Sequence, residues 1–264
     1  MDATSPAPGR EAGPAPRGAP PPVLVAVDAG DLAGLPRRLA GLHARLAVGD
    51  VIEVPAVPGT TSALLGDLVA GAGFDPVGGR SRAGTIRAAR AHSLADTVAP
   101  GLRLLVCGLN PSPMAAASGV GFAHPANRFW AAARAAGIVS VDRDPWHALD
   151  ADGVGMTDLV KRATRTASEL SGAEYAAGAD RLRRLVGWLA PGAVCFVGLA
   201  GWRAAVDPGA RAGRQPHPFA GRPAYVMPST SGANAHASLG ELTDHLRAAG
   251  RLADGALSSI GSPA

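Results

Sequence analysis

Residues 102–111, Leu-Arg-Leu-Leu-Val-Cys-Gly-Leu-Asn-Pro, decide the fold class of this chain. The apolar run Leu-Leu-Val-Cys at 104–107 ends at Gly108, which is the pattern of a strand buried on both faces of a parallel sheet. Two later runs have the same form, Ala193–Val197 closed by a glycine and Ala224–Met227 closed by a proline. The sequence therefore predicts at least three central strands.

Helical spacing of apolar residues separates these strands. Helices are predicted over residues 128–136, 171–189, 201–206 and 239–249. Either Ser168 or Ser171 is expected to cap the second of them. Strands that alternate with helices predict an α/β protein, a three-layer α/β/α sandwich with a mainly parallel central sheet. Because ligands bind such sheets beyond the carboxyl ends of the strands, the loops after the three strands are the expected site.

The chain ahead of this domain divides into two parts. Residues 1–22 contain seven prolines and few large apolar side chains, so we expect a disordered Pro-rich tail. Residues 23–95 form a small α/β accessory segment, with strands expected at 23–27 and 50–54 and helices at 32–46 and 64–72. This segment resembles a remnant of a Rossmann-type methyltransferase, although no glycine-rich cofactor loop precedes it. The main domain covers 96–250, and 251–264 are expected to form a flexible tail.

The charge balance is carried by arginine. Basic residues number 25, of which Lys161 is the single lysine, against 21 acids, and the formal net charge is +4. Guanidinium groups favour a partner that carries phosphate. A genome rich in G and C produces the same arginine and alanine usage, so the composition leaves both explanations open.

Cysteine and hydropathy patterns exclude several classes of protein. Cys107 and Cys195 lie inside apolar runs, where thiols pack as small hydrophobes, and two cysteines cannot hold an iron–sulfur cluster or a Cys-rich zinc site. We therefore expect no cofactor and no metal. No apolar stretch approaches 18 residues and the N-terminus lacks a signal-peptide pattern, so no membrane association is expected.

Four blocks in the main domain resemble one known family. They are Gly108-Leu109-Asn110-Pro111, the segment Gly-Phe-Ala-His-Pro-Ala-Asn-Arg-Phe-Trp at 121–130, Gly-Met-Thr-Asp-Leu-Val at 155–160 and Met-Pro-Ser-Thr-Ser-Gly at 227–232. In this order, and over residues 96–250, they resemble the mismatch-specific uracil/thymine-DNA glycosylases of the uracil-DNA glycosylase superfamily.

The resemblance implies a base pocket after the first strand. Asn110 is implied as the catalytic residue, whose amide carbonyl positions the attacking water. The base-binding residues are implied to be Gly108, Leu109, Pro111, Ser112 and Phe122. Phe122 would stack on the extruded base, with a purely structural core aromatic as the alternative. His124 and Asn127 are expected to organise the pocket wall and the helix start.

The resemblance also implies a DNA-binding loop. The implied DNA-binding residues are Arg128, Ser229, Thr230, Ser231, Gly232, Ala233 and Asn234. Arg128 could either contact phosphate or organise the start of its helix. Ala233 stands where relatives carry a bulky wedge, so we expect weak filling of the hole left by the base, with Asn234 contacting the unpaired guanine. His236 is interpreted as incidental.

These observations give one main hypothesis and two alternatives. Lys161 is interpreted as a phosphate or surface contact and not as the amine of a strand-cutting enzyme. The hypothesis is a monofunctional DNA glycosylase of base excision repair that removes uracil, with other damaged pyrimidines as further candidates, opposite guanine. Its expected partner is mismatched or damaged double-stranded DNA, with single strands also considered, bound by a cytoplasmic, nucleoid-associated monomer. The alternatives are a catalytically weak lesion-binding protein and a methyltransferase-related enzyme.

Overall fold

A computed structural model describes residues 24–26, 28, 30–78 and 84–260. The predicted Pro-rich tail and the last four residues lie outside this part of the chain. Two sheets are formed, one in the N-terminal unit and one in the main domain. No helix in the described ranges is long and apolar enough to cross a membrane.

The N-terminal unit is a four-stranded mixed sheet with two helices. Its elements are β1 (Leu24–Ala26), α1 (Leu35–Arg45), β2 (Val51–Val54), α2 (Ser62–Gly71), β3 (Phe74–Pro76) and β4 (Ile86–Arg90). The strand order is β1-β2-β4-β3, in which β1 and β2 are parallel and the other two pairs are antiparallel. The sequence predicted β1, β2 and both helices within a few residues. Strands β3 and β4 were not predicted, because neither short segment shows a clear apolar alternation.

The main sheet has five strands with four of them parallel. Its strands are β5 (Leu104–Gly108), β6 (Val154–Asp158), β7 (Ala193–Val197), β8 (Gly213–Arg214) and β9 (Ala224–Met227). The order is β6-β5-β7-β9-β8, and only β8, at the edge, is antiparallel to its neighbour. Every residue of the four parallel strands is buried. The predicted mainly parallel central sheet is confirmed.

Helices cover both faces of this sheet. They are α3 (Pro113–Ser118), α4 (Phe129–Ala135), α5 (Pro145–Asp152), α6 (Gly172–Leu189), α7 (Leu199–Ala205) and α8 (Leu239–Ile260). Side chains of one face, such as Leu105 and Val194, join a core with α6 and α7. Side chains of the other face, such as Val106 and Cys195, join a core with α4 and α8. The three-layer α/β/α sandwich is therefore confirmed.

Helix boundaries confirm one predicted cap and correct one predicted tail. Ser171 caps α6, where its Oγ accepts a hydrogen bond from the Glu174 amide, so Ser168 is not the cap. Helix α8 continues to Ile260, so the prediction of a flexible tail is wrong for 251–260. Burial of Ala253 and a bidentate ion pair from Arg103 to Asp254, at 2.6 and 2.9 Å, hold this extension against the sheet.

The N-terminal unit is packed directly on the sandwich. Helices α2 and α6 contact each other, and buried residues of both units belong to one continuous apolar core. Arg184 of α6 holds Asp67 of α2 through two hydrogen bonds of 2.6 and 3.0 Å. Thr97 and Met156 exchange a pair of backbone hydrogen bonds beside β6. The unit that looked accessory in the sequence therefore shares its core with the main domain.

Candidate active site at the carboxyl edge of the main sheet

The predicted loops meet where β5, β7 and β9 end. The Gly198 amide donates to the Met227 carbonyl, and Ser229 packs against Gly198. The Arg128 amide donates to the Thr230 carbonyl at 2.9 Å, which joins the segment 121–128 to the loop 228–237. A Cβ on Gly232 would lie 2.7 Å from Ala126, so only glycine allows this close approach. The structure thus brings together the blocks that the sequence singled out.

The Asn110 side chain has one orientation that its neighbours dictate. Its Nδ2 donates to Thr164 Oγ1 at 2.7 Å, to the Arg162 carbonyl at 3.0 Å and to the Pro111 carbonyl at 3.3 Å. The Thr164 hydroxyl donates its hydrogen to the Thr166 carbonyl, so it can only accept in its hydrogen bond with Asn110. Within the described residues Oδ1 has no donor on it. The amide carbonyl therefore keeps its acceptor capacity for a group from outside these residues.

Backbone hydrogen bonds make the Asn110 loop rigid. The carbonyls of Gly108, Leu109 and Pro111 each accept from an amide of the 159–164 segment, at 2.9, 2.9 and 3.1 Å. A Cβ on Gly201 would lie 2.7 Å from Leu109 Cδ1, so this leucine side chain packs against α7. Leu109 and the buried Pro111 are therefore held in place by backbone hydrogen bonds, and Leu109 also by its side-chain packing.

Ser112 has a structural role that explains its presence. Its Oγ accepts from the Ala115 amide at 3.1 Å and caps α3, which begins with Pro113. A base contact from the hydroxyl proton of Ser112 remains a prediction.

Phe122 lies in a strained turn at the pocket wall. Its φ of 57° is in the left-handed region, which bulky residues rarely adopt. The ring stacks on Phe129 with centroids 4.2 Å apart, and the Trp130 indole N–H holds the Gly121 carbonyl at 2.8 Å. A Cβ on Gly108 would lie 3.5 Å from Phe122 Cζ, so the ring edge reaches the end of β5. One face packs on the core while the ring stays half-buried, which suits both roles considered for this residue.

Asp158 is a site residue that the sequence reasoning missed. It ends β6 opposite Gly108, and a side chain on that glycine would collide with Asp158 Oδ1. The carboxyl shares a crevice with Phe122. Burial raises its pKa from 3.8 to about 6, although Lys161 and Arg181 nearby favour the ionised form. The signal was available, since this aspartate follows a buried run at the same sheet edge.

A buried ion-pair network contacts the last two residues of β6, Thr157 and Asp158. Asp96 accepts from Lys161 Nζ at 2.6 Å, from Thr157 Oγ1 at 2.8 Å and from Arg181 Nη1 at 3.0 Å. Arg181 Nη2 also donates to the Asp158 carbonyl at 2.7 Å. The Lys161 side chain is only 12% exposed, so its interpretation as a phosphate or surface contact is wrong.

Arg128 holds the loop 228–237 from inside. Its Nη2 donates to the Asn234 carbonyl at 2.6 Å and to the Ser231 carbonyl at 3.4 Å, and its Nη1 donates to the Ala237 carbonyl. These contacts direct both terminal nitrogens at the loop. The prediction that Arg128 touches DNA is therefore corrected to an indirect role. Asn127 likewise meets its expected role, because its Oδ1 accepts from the Phe129 amide at the start of α4.

Two further predicted DNA contacts are corrected by the loop itself. Thr230 is 1% exposed, so its side chain cannot reach a phosphate. Asn234 donates from Nδ2 to the Ser229 carbonyl at 2.7 Å and accepts the His236 amide on Oδ1 at 3.3 Å. Its amide is thus used within the loop and is not free to contact a guanine.

The tip of the loop carries the remaining predicted contacts. Ser231, Gly232 and Ala233 are exposed, and Ser229 is half-buried beside them. The Ser229 hydroxyl accepts the Ser231 amide, and the Ser231 hydroxyl accepts the Ala233 amide, each at 3.3 Å. His236 is exposed on the same loop. The exposed tip of the loop therefore consists of small side chains and hydroxyls.

Fold and site together define an α/β/α sandwich with an amide and a buried carboxyl at the carboxyl edge of its sheet. Residues 95–250 match the family model of the Uracil DNA glycosylase superfamily. The chain belongs to this superfamily. A solution NMR structure of a proposed uracil DNA glycosylase from Methanosarcina acetivorans is similar at 19% identity and a TM-score of 0.43, over 61% of this chain and 96% of that one.

Proposed function

We propose that this protein is a monofunctional DNA glycosylase of base excision repair that hydrolyses the N-glycosidic bond of uracil opposite guanine. Membership of the superfamily suggests uracil DNA glycosylase activity. The observation that carries the proposal is the fixed orientation of Asn110, which turns Oδ1 away from its three protein acceptors. Hydrolysis needs a held water more than a strong nucleophile, and an amide carbonyl meets that need.

The reaction begins with an extruded nucleotide, because the sugar C1′ is inaccessible inside a duplex. The base enters beside Phe122, whose ring offers a stacking face worth about 1–3 kcal/mol. Water held by Asn110 attacks C1′ while the C1′–N1 bond breaks and uracil leaves with the bonding pair as its N1 anion. The attacking water must lose a proton, which an amide cannot accept. Asp158 accepts that proton in our proposal, since a carboxyl with a pKa of about 6 is ionised at pH 7 and still close to the working pH.

Lys161 supports base removal without strand cleavage. A glycosylase that cuts the strand forms an imine between an amine and the sugar. The single lysine of the chain is largely buried, and its Nζ lies 2.6 Å from Asp96 Oδ1, so this ion pair holds the amine that an imine would need. Breaks in the DNA should therefore appear only after alkali or heat.

Ala233 supports a preference for mismatched bases. Its methyl group, exposed at the loop tip, is too small to fill the space of an extruded base. The protein then depends on base pairs that open at low cost, and mismatched or unpaired bases cost least. Uracil opposite guanine is the substrate that follows, with single strands next.

A single-turnover cleavage assay tests the proposal. The substrates are matched oligonucleotides with uracil opposite guanine, uracil opposite adenine, single-stranded uracil and no uracil, each read with and without alkali. We expect uracil release that is fastest opposite guanine, alkali-dependent breaks and loss of release in Asn110→Ala. Tight binding of the mismatch without any base release would contradict the proposal and favour the lesion-binding alternative.

A further inference from the structure

A cleft of about 620 Å³ separates the N-terminal unit from the sandwich. Helix α1 forms one wall, and α3 with the start of α5 forms the other. The cleft shares Thr97, Gly119 and Pro145 with the crevice that holds Phe122 and Asp158. It therefore opens directly beside the candidate active site.

The walls of this cleft are rich in arginine. Arg37, Arg90 and Arg143 line it together with one acid, Asp144. His43 adds no charge at neutral pH, because burial lowers its pKa to about 4. A second groove on α1 adds Arg38 and Arg45 together with one acid, Asp28, and shares Arg37 with the cleft. Arg38 pairs with Asp31 at 3.6 Å. Helix α1 contains no acidic residue, so its arginines form a basic face that continues from the cleft.

The arginines are anchored separately and do not converge on one point. Arg37 pairs with Asp150 and lies 4.5 Å above the Trp146 ring. Arg90 donates from Nε to the His43 carbonyl at 3.2 Å, and Arg143 pairs with Asp142 at 2.8 Å. Each guanidinium has five N–H donors, of which these contacts use only some. Charges spread along a groove fit an extended polyanion better than one small anion.

We propose that the cleft and the basic face of α1 bind the DNA strand that flanks the extruded nucleotide. The inference rests on the proposed function for the identity of the polyanion. Continuity with the crevice lined by Phe122 and Asp158 is what selects DNA, because in the proposed reaction the extruded base stacks on Phe122 and the flanking strand leaves beside it. The N-terminal unit, whose residues 24–90 precede the family match, thereby becomes part of the DNA interface.

Salt dependence of binding to an undamaged duplex provides the first test. Each phosphate contact contributes about −0.9 to the slope of log affinity against log salt. Arg143→Ala and Arg45→Ala should each reduce the magnitude of the slope by about 0.9, and the double variant by about twice that. Arg183→Ala is the matched control, because Arg183 is also an exposed arginine paired with a neighbouring aspartate, on α6. Arg183→Ala should leave both the salt slope and the cleavage rate at saturating protein unchanged.

A second test keeps all the arginines and measures whether bound DNA protects introduced thiols from alkylation. The native Cys107 and Cys195 are buried and burial raises the pKa of both thiols, so they stay silent toward iodoacetamide. Ala44→Cys and Ala117→Cys place one exposed thiol on each wall of the cleft. An undamaged duplex should slow their alkylation at least fivefold. Ser259→Cys, near the end of α8, serves as the control and should not change.

The outcomes separate this inference from the proposed function. Unchanged salt slopes in the arginine variants, together with equal alkylation with and without DNA, would overturn the cleft interface even if uracil is released. If DNA protects the thiols and the arginine variants have smaller salt slopes, but the protein releases no base, the cleft interface is supported. Only the glycosylase proposal is then contradicted.

Discussion

Asn110 derives its orientation from residues more than fifty positions away in the chain. The residue type and its place after a buried strand were predictable, because ligands bind at that edge of a sheet. The direction of the amide was not predictable, since it depends on Thr164 Oγ1 and the Arg162 carbonyl. Sequence spacing cannot show which of two amide atoms faces a pocket.

At this residue, Asn110→Ala should lower single-turnover release of uracil by on the order of 10²–10³, the usual effect of removing one well-placed polar catalytic group. Thr164→Val keeps the shape but removes the acceptor that fixes Nδ2, so a loss of about 1 kcal/mol, roughly fivefold in rate, is expected. Duplex affinity should stay near that of the wild type in both. A wild-type rate in Asn110→Ala would contradict the assignment.

Asp158 should give the reaction its pH dependence. The ionised carboxylate is the form that accepts a proton, and it is populated above a pH of about 6. The single-turnover rate should therefore rise about tenfold for each pH unit below pH 6 and level off above pH 6. The single-turnover rate of Asp158→Asn should be low and should not change with pH between 5 and 8. A profile with the same inflection in this variant would assign the proton to another group.

The same carboxyl should reduce the stability of the fold at neutral pH. Its folded-state pKa lies above its ordinary value of 3.8, so folding favours the protonated form and stability falls as pH rises from about 4 to 6. Holding the charge at pH 7 then costs on the order of 3 kcal/mol. Asp158→Asn should raise the melting temperature at pH 7 and change it little at pH 3.5. A lower melting temperature at pH 7 would contradict the pKa direction.

At the scale of elements, apolar periodicity predicted the central strands and the longer helices, because burial alone determines them. Ala193–Val197 and Ala224–Met227 match the prediction at both ends. Strand β6 was recognised only as a sequence block, since its glycine, Gly155, and its terminal polar residues hide its apolar pattern. The end of α8 was missed because its small residues gain helical structure from packing on the sheet.

The loop 228–237 is held by Arg128, and this predicts how the arginine responds to substitution. A phosphate contact would be largely preserved in Arg128→Lys, because the charge remains. Three loop carbonyls cannot be held by one ammonium in the same geometry, so Arg128→Lys should weaken duplex binding several-fold with an unchanged salt slope. If Arg128→Ala reduces the magnitude of the salt slope by about 0.9 and Arg128→Lys fully recovers it, Arg128 contacts a phosphate directly.

Ala233 gives a second prediction for the same loop. Ala233→Leu adds apolar volume at the exposed tip, which can occupy the space of an extruded base and stabilise the open duplex. The ratio of duplex to single-strand rates should rise several-fold, and product release should become slower. Ala235→Leu, also exposed and two residues further on, is the control for added hydrophobicity alone. If wild type and Ala233→Leu have the same ratio of duplex to single-strand rates, another residue fills the space of the extruded base.

At the scale of the molecule, the apolar core that joins both units implies one cooperative unfolding transition. The sequence suggested a separable accessory segment, because a core shared between distant segments leaves no local pattern. All four tryptophans, Trp130, Trp146, Trp188 and Trp202, lie in the sandwich, and Trp146 also lies beneath Arg37 of α1. Their fluorescence therefore reports chiefly the unfolding of the sandwich.

Leu68→Ala in α2 removes a buried side chain from the shared core and should cost about 2–5 kcal/mol. Although Leu68 lies in the N-terminal unit, tryptophan fluorescence and far-UV circular dichroism should then shift to the same lower urea midpoint. Leu246→Ala, buried in the opposite core, should shift both signals in the same way. If Leu68→Ala moves only the circular dichroism and leaves the fluorescence midpoint in place, the two units unfold independently. A DNA interface that spans both units would then depend on a flexible arrangement and not on one rigid surface.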